Sequence, residues 1–348
     1  MTPGPPAAPR RRSVVLMFPG TGAQHPRMAA GLYPHEPVFA AAVDEVLGLL
    51  GPVGAEARAD WLAAEPVVPM AADTRSAPLL FAVNYAMGRL VESWGVRPDG
   101  YLGHSMGEFT AAVLAGVFSL PDAVRLLWAR VLMQRTTPPG GMLAVAAARE
   151  DLAGYVGGYP GGEVVVAAVN APRHTVLSGP DGALAEVAAR LVADGVTFRA
   201  LAARSPYHSP ALAPLVAPTV ELLRPMRLGA PRTPLHSAYT TEELSVATAT
   251  APEFWAGQPT APVLFWPTLD RLLGERDLVL VEAGPAQSLT VIARGHPAVR
   301  AGHSEVVATL PPRAKGPEED RRCVRAARER LLALAGPRVV TPASVHSG

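Results

Sequence analysis

Cysteine is almost absent from this chain: its 348 residues include one, Cys323. A single thiol excludes an internal disulfide framework and any metal centre built on several thiolates. Such a chain suits a reducing compartment, so a cytoplasmic location is expected. Charge of one sign is lacking too. Lys and Arg number 31 against 30 Asp and Glu, a net charge of +1. No bulk electrostatic pull toward nucleic acid or a membrane surface is expected. Long hydrophobic runs are missing, so no stretch approaches bilayer-spanning length. Arg10, Arg11 and Arg12 precede the apolar residues 14–18, but that run is too short for a signal-peptide core and Pro19-Gly20 breaks it. No internal repeat is visible.

What is present fits a globular α/β protein. The chain is 49% hydrophobic and 18% charged, long enough for one large domain or for one domain with an insertion. The 37 Pro and 32 Gly, beside abundant Ala and Arg, read as the bias of a GC-rich coding sequence rather than as disorder.

The chain is organised around Tyr101-Leu102-Gly103-His104-Ser105-Met106-Gly107-Glu108. It contains Gly-x-Ser-x-Gly between a short apolar run and a helical pattern, the context of a nucleophile elbow. Phe109, Ala112, Val113, Gly116 and Val117 fall on one helical face. That helix would aim its free N–H groups and positive dipole end at whatever Ser105 attacks. Gly116 closes it, and Ser119 with Asp122 caps the next helix, which carries Val124, Leu127 and Val131 inward and Arg130 at the edge of that face.

Residues 1–12 read as a loose tail, and Ser13–Phe18 as a buried strand running into the glycine loop Pro19-Gly20-Thr21-Gly22-Ala23-Gln24. Residues 39–50 and 78–94 are helical by pattern, and 51–76 irregular. From Gly141 strands are expected at 142–147, 163–170, 174–178 and 197–201, with a short helix over 149–156 and a longer one over 182–193. The order β-α-β-β-α-β is that of a ferredoxin-like unit. The expected architecture is an α/β-hydrolase-like large subdomain with a parallel sheet (13–138 and 204–311) and an inserted ferredoxin-like small subdomain (139–203). A strand at 279–282 belongs to the large part. A C-terminal helix and tail fill 312–348, the helix over 318–335 with Val324, Ala327, Leu331 and Leu334 on one stripe, ending at Gly336-Pro337.

A serine nucleophile needs a base, usually His. The candidates are His25, His35, His104, His174, His208, His236, His296, His303 and His346. His104 adjoins Ser105, but neighbouring side chains at a sharp turn point apart. His208 is the best candidate, because it lies where the chain returns from the inserted unit.

With these residues in place, the chain resembles the malonyl-CoA:acyl-carrier-protein transacylase family, which includes the acyltransferase domains of modular polyketide synthases. The resemblance runs from about residue 14 to 310. It rests on Phe18-Pro19-Gly20-Thr21-Gly22-Ala23-Gln24, on 103–108, 126–134, 254–265 and 281–285, on Ala168-Val169-Asn170-Ala171-Pro172-Arg173, and on Tyr207-His208-Ser209-Pro210. Seven blocks in order are far more specific than any one.

The resemblance implies that Ser105 takes an acyl group from a coenzyme A thioester and passes it to the phosphopantetheine thiol of an acyl carrier protein, with His208 as base. It implies an oxyanion hole from the backbone N–H groups of Met106 and Thr21, and His208 oriented by the carbonyl of Gln258. Arg130 would grip the free carboxylate of a malonyl-type group, and Gln24, His104, Tyr207 and Asn170 would line the substrate site. A guanidinium–carboxylate hydrogen bond is worth about 1.5–3 kcal/mol, a preference for malonyl over acetyl of about ten- to a hundredfold. The family usually has Gln where this chain has Thr21; the backbone donor survives that change. Bulky Tyr207 before His208 resembles malonyl rather than methylmalonyl selection, although Ser205-Pro206-Tyr207-His208 is not a usual family signature, which leaves an unusual acyl group open. No bound cofactor or metal is implied, and neither nucleic acid nor a membrane is a partner. Arg294, Arg300, Arg313 and Lys315 are candidates for an acidic carrier protein to dock on.

A Ser-His-Asp hydrolase or thioesterase is the competing reading. It needs a carboxylate beside His208, and Asp122, Asp151, Asp181 and Asp194 are the candidates by chain order. An editing thioesterase of this same fold would handle uncharged acyl groups, which Arg130 argues against.

Overall fold

The structure is a computed structural model that describes residues 12–157 and 163–335. Its larger sheet has five parallel strands: β1 (Ser13–Phe18), β2 (Gly100–Gly103), β7 (Leu235–His236), β8 (Leu278–Glu282) and β9 (Glu305–Ala308). Their order is β7-β2-β1-β8-β9, so β1 is central. Both faces are covered, and the strands are near-continuously apolar for that reason. Along β1, Val14, Leu16 and Phe18 point into one core while Val15 and Met17 point into the other. On β8, Val279 and Val281 join the first core, and Leu278 and Leu280 the second. This is the two-residue period of a strand with two buried faces. Each fully buried side chain of this size contributes about 1.5–3 kcal/mol.

The smaller sheet holds β3 (Gly140–Val145), β4 (Val165–Ala171), β5 (His174–Pro180) and β6 (Phe198–Ala200) in the order β4-β5-β3-β6. All its pairings are antiparallel, and the helix Asp181–Ala193 packs its Leu184, Val187 and Leu191 into a third core. The strand order is that of the expected ferredoxin-like unit. A pair of hydrogen bonds joins the two sheets' territories: Val169 N–H donates to the Val263 carbonyl at 2.9 Å, and Val263 N–H to the Ala167 carbonyl at 2.9 Å.

Three expectations need correction. Residues 51–76 are not irregular throughout, since Pro52–Leu62 is a helix. It buries Gly54, Ala57 and Trp61, mostly small residues that leave little hydrophobic period, and Gly54 lies so close to Leu47 that a Cβ would meet its carbonyl at 1.8 Å. The helix expected over 149–156 is a single 3-10 turn, Glu150–Leu152; only Leu152 is buried there, too little to hold a longer helix. The helix expected from 78 begins earlier, at Asp73, and runs to Ser93.

The C-terminal helix Pro317–Ala335 buries Val324, Ala327 and Leu331 in the first core, and Asp320 accepts from Gly31 N–H at 3.1 Å. Of the expected tails at 1–12 and 337–348, all but Arg12 lies outside the described residues, as do His346 and the Gly336-Pro337 stop. No helix among the described residues is long and apolar enough to cross a membrane.

Candidate active site

The carboxyl ends of β1, β2, β7 and β8 converge on one place, as expected for ligand sites of parallel sheets. The β2 end turns sharply into the helix Met106–Ala115. Ser105, at the turn, has φ 53°, in the left-handed region a non-glycine residue rarely adopts. Small residues make the turn possible. A Cβ on Gly103 would meet Glu108 N at 2.0 Å, and one on Gly107 would meet the Phe18 carbonyl at 1.9 Å. Met106 opens the helix, so its N–H has no acceptor within it.

Beside the elbow runs the glycine loop after β1. Gly20 approaches so closely that its Cβ would lie 2.3 Å from the His104 carbonyl. The loop is fixed from below by Asn84, a buried side chain of the helix Asp73–Ser93, which donates to the Pro19 carbonyl at 2.8 Å. Gln24 accepts from Gly22 N–H at 2.7 Å, so its carbonyl oxygen shapes the loop that carries Thr21.

His208 sits at 2.8 Å from the Ser105 hydroxyl through Nε2. It too has positive φ, 60°, in a turn where Tyr207 N–H donates to the Ser205 carbonyl at 2.9 Å. Two non-glycine residues in that region, in contact with each other, mark strain held by surrounding structure at a functional site. The other ring nitrogen, Nδ1, faces the carbonyls of Ala261 at 3.0 Å and Gln258 at 3.3 Å. Those acceptors fix the tautomer with the proton on Nδ1 and leave Nε2 free to accept from serine. Burial, and then the neighbouring His104, pull the His208 pKa down to about 4. At neutral pH it is therefore an uncharged base.

Among the described residues no carboxylate bonds this histidine. Asp122 lies in the first turn of the helix capped by Ser119, accepts from the Ser119 hydroxyl at 2.8 Å and pairs with Arg125 at 2.8 Å, Asp151 lies 3.5 Å from Arg173, Asp181 starts a helix, and Asp194 bonds Tyr155. The four triad candidates are thus placed elsewhere.

Arg130 lies on the helix Leu120–Gln134. One Nη donates to the Trp255 carbonyl, and the guanidinium lies over the Phe109 ring at 5.6 Å. Its Nε is buried without a hydrogen-bond partner among the described residues, and the Tyr239 phenol acts on it electrostatically. Burial draws its pKa to about 10, still cationic at neutral pH. A part-buried guanidinium with a spare buried donor and, among the described residues, no carboxylate paired to it is costly unless something else supplies the charge.

The remaining expected residues surround these. His104 Nε2 contacts Asn170 Oδ1 at 2.8 Å, so its side chain turns toward the end of β4 and the small sheet contributes to the site. Burial lowers the His104 pKa, which keeps it neutral. The Tyr207 hydroxyl donates to Asp73 at 3.1 Å and reaches Gln134 at 3.4 Å, closing over the end of the Arg130 helix.

Three residues at this site carried no role in the sequence reading. Ala261 gives the shorter of the two carbonyl contacts to His208, and a carbonyl has no sequence signal. Glu108 is fully buried and accepts from Ser237 Oγ at 2.6 Å, Ala238 N–H at 2.8 Å and Gln258 Nε2 at 3.3 Å. Burial pushes its pKa up to about 8 against those donors. An acid inside an otherwise apolar helical pattern was the available cue. Tyr239 packs its ring 6.1 Å from that of His208.

An elbow serine on a parallel sheet, with a buried neutral histidine in reach, is the equipment of an enzyme that moves acyl groups through a serine ester. The chain belongs to the acyl transferase domain family, whose pattern matches residues 15–329. It is 38% identical over 301 residues to a phenolphthiocerol/phthiocerol polyketide synthase protein from Mycobacterium tuberculosis, a match covering 86% of this chain and 20% of that protein. Against polyketide synthase GfsB of Streptomyces halstedii the identity is 35% over 282 residues, covering 80% and 5%. The chain thus spans about a fifth or less of the curated relatives' length. The acyl transferase domain of SpnD, in a complex with 2-(pent-4-yn-1-yl)malonyl, has the same fold, with a TM-score of 0.86 at 30% identity over 96% of this chain and 79% of that one. A loading acyltransferase from the avermectin modular polyketide synthase gives 0.80 at 29% identity over 92% and 99%.

Proposed function

We propose that this chain transfers a malonyl-type acyl group from coenzyme A to the phosphopantetheine thiol of an acyl carrier protein, through an ester on Ser105. The observation that carries the reading is Arg130: a guanidinium whose Nε is buried and unpartnered, and which acts on Tyr239 beside the His208 ring, asks for an anionic acyl group. A free carboxylate would accept from the fork and supply the missing charge.

The proposed steps use residues already described. His208 Nε2 takes the Ser105 proton as Oγ attacks the thioester carbonyl carbon. The negative charge moves to the carbonyl oxygen, where the N–H groups of Met106 and Thr21 donate to it. The C–S bond breaks, and coenzyme A leaves as a thiol with the proton from the imidazolium. The carrier's thiol then repeats the sequence in reverse, giving His208 its proton, and ping-pong kinetics follow. The carbonyls of Gln258 and Ala261 stabilise the imidazolium that forms on the way. Gln24, His104, Asn170 and Tyr207 shape the pocket around the acyl chain. The division into a large part (13–138 and 204–311) and a small part (139–203) puts the acyl group between them, away from water.

The test is intact-protein mass spectrometry after brief incubation with malonyl-, methylmalonyl- and acetyl-CoA, beside Ser105→Ala. A malonyl-sized adduct that is absent from Ser105→Ala and moves to a carrier-protein thiol is expected. Free acid released without any adduct would point to a hydrolase instead.

A further inference from the structure

Tyr239 stands at the carboxyl end of β7, the strand that pairs with the elbow strand β2. Its place is fixed by a chain of hydrogen bonds that ends on the buried Glu108. Tyr239 N–H donates to Ser237 Oγ at 3.1 Å, and Ser237 Oγ donates to Glu108 at 2.6 Å. Ala238 N–H donates to the other Glu108 oxygen, and the Ala238 carbonyl accepts from Leu264 N–H at 2.6 Å. The backbone at 237–239 is therefore clamped to the elbow helix on one side and to the segment carrying Ala261 on the other.

From that clamped backbone the ring lies 6.1 Å from the His208 imidazole and meets the Phe254 ring edge-on at 6.5 Å. Burial raises the pKa of the phenol, the Ser105 hydroxyl and the Arg130 charge both act on it to lower that pKa, and the carbonyl of Trp255, next to Phe254, is the one that Arg130 binds. Tyr239 thus stands beside the Ser105–His208 pair on one side and next to the segment that holds the Arg130 cation on the other. A malonyl group esterified to Ser105 with its carboxylate on Arg130 has its C2 carbon between those two points. Resting on the reading of Arg130 and Ser105 given above, we propose that the Tyr239 ring forms the wall beside C2 and limits what that carbon carries. Tyr239 is on this view a specificity-determining residue, acting apart from Tyr207, whose hydroxyl is turned away to Asp73 and Gln134.

The ring is rigid and its backbone is held, so it has no cheap way to make room. A hydrogen at C2 fits, whereas an alkyl substituent must displace the ring or leave the Arg130 fork. One methylene against a packed wall changes discrimination by about 10–200-fold.

The experiment is a competition in one tube. Wild type, Tyr239→Phe and Tyr239→Val each receive equal malonyl-CoA and ethylmalonyl-CoA, and the two Ser105 adducts are resolved by mass before transfer. Because both donors meet the same molecules, the ratio does not depend on how much of a variant is folded. Tyr239→Val is expected to raise ethylmalonyl relative to malonyl by about tenfold or more, and Tyr239→Phe, which keeps the ring, to stay near the wild-type ratio. Unchanged selectivity in Tyr239→Val, beside a wild type that forms adducts, overturns the inference. So does an equal shift in both variants, which would assign selection to the hydroxyl. A wild type that forms no adduct with either donor overturns the acyl-transfer reading beneath it.

Discussion

Glu108 and Gln258 are hydrogen-bonded side chain to side chain at 3.3 Å, across 150 positions of sequence. Glu108 belongs to the first turn of the helix behind Ser105, and the Gln258 carbonyl faces His208. The nucleophile's helix and the base's support are therefore one buried assembly. Removing the carboxylate in Glu108→Ala leaves Ser237, Ala238 and Gln258 donors without a partner, at about 1–3 kcal/mol for each buried group. A lower Tm and a lower kcat are expected together. Glu108→Gln keeps the shape but sets an amide against Gln258, so it should lose less stability. Thermal melts and acylation rates of the two variants check this, and equal effects from both would remove the argument.

The Ser105–His208 contact predicts a sharp loss without either partner. Ser105→Ala should form no acyl adduct. His208→Ala should lower the acylation rate by about 10⁴-fold or more, with the double variant hardly worse, because residues acting as a unit are not additive. Single-turnover acylation measures all three. A His208→Ala enzyme within tenfold of wild type would assign the base elsewhere.

The low His208 pKa fixes a direction for the pH profile. An ordinary imidazole, near 6.5, loses its basic form as pH falls through that value, whereas His208 stays neutral down to about 4. The kcat/KM for acylation should hold as pH falls from 7 to about 5 and then decline. An acid limb centred near 6.5 would contradict it. The same shift carries a stability consequence. Between 6.5 and about 4 the unfolded chain binds a proton here that the folded chain does not. This group therefore withdraws stability as pH falls through that window.

Arg130→Ala should reduce malonyl transfer about 10- to 100-fold, the value of a charged hydrogen bond, while leaving acetyl transfer nearly unchanged. Arg130→Lys should recover part of the loss, since an ammonium supplies the charge without the fork. The ratio of kcat/KM for the two donors is the measurement. Equal losses on malonyl- and acetyl-CoA would mean that Arg130 supports structure through Phe109 and the Trp255 carbonyl instead.

Much of this was legible in the sequence because it has a periodic or positional signature. The apolar run of β1, the glycines around Ser105 and the Ser119–Asp122 cap each encode a local constraint. Capping by Ser119, which accepts from Asp122 N–H at 3.2 Å, and the stop at Gly116, with φ 85°, stand as read. The helix Pro52–Leu62 was missed because it buries Gly54 and Ala57, leaving Trp61 as its one large anchor; Pro52 at its first turn was the remaining cue. What orients His208 had no signature of its own, because every residue owns a carbonyl. The resemblance to a known family supplied Gln258, and Ala261 came only with the fold. Tyr239 was silent for a related reason. Its position follows from a strand of two residues, too short to produce any alternation.

The seam at Val263 reaches beyond the fold. Val263 joins β4 of the small sheet through two hydrogen bonds; two positions earlier the Ala261 carbonyl accepts from His208, and one position later Leu264 holds the Tyr239 loop. The segment is at once a graft boundary and a bearing surface. A chimera that exchanges residues 139–203 for those of a relative keeps its base aligned only if 261–264 travels with them.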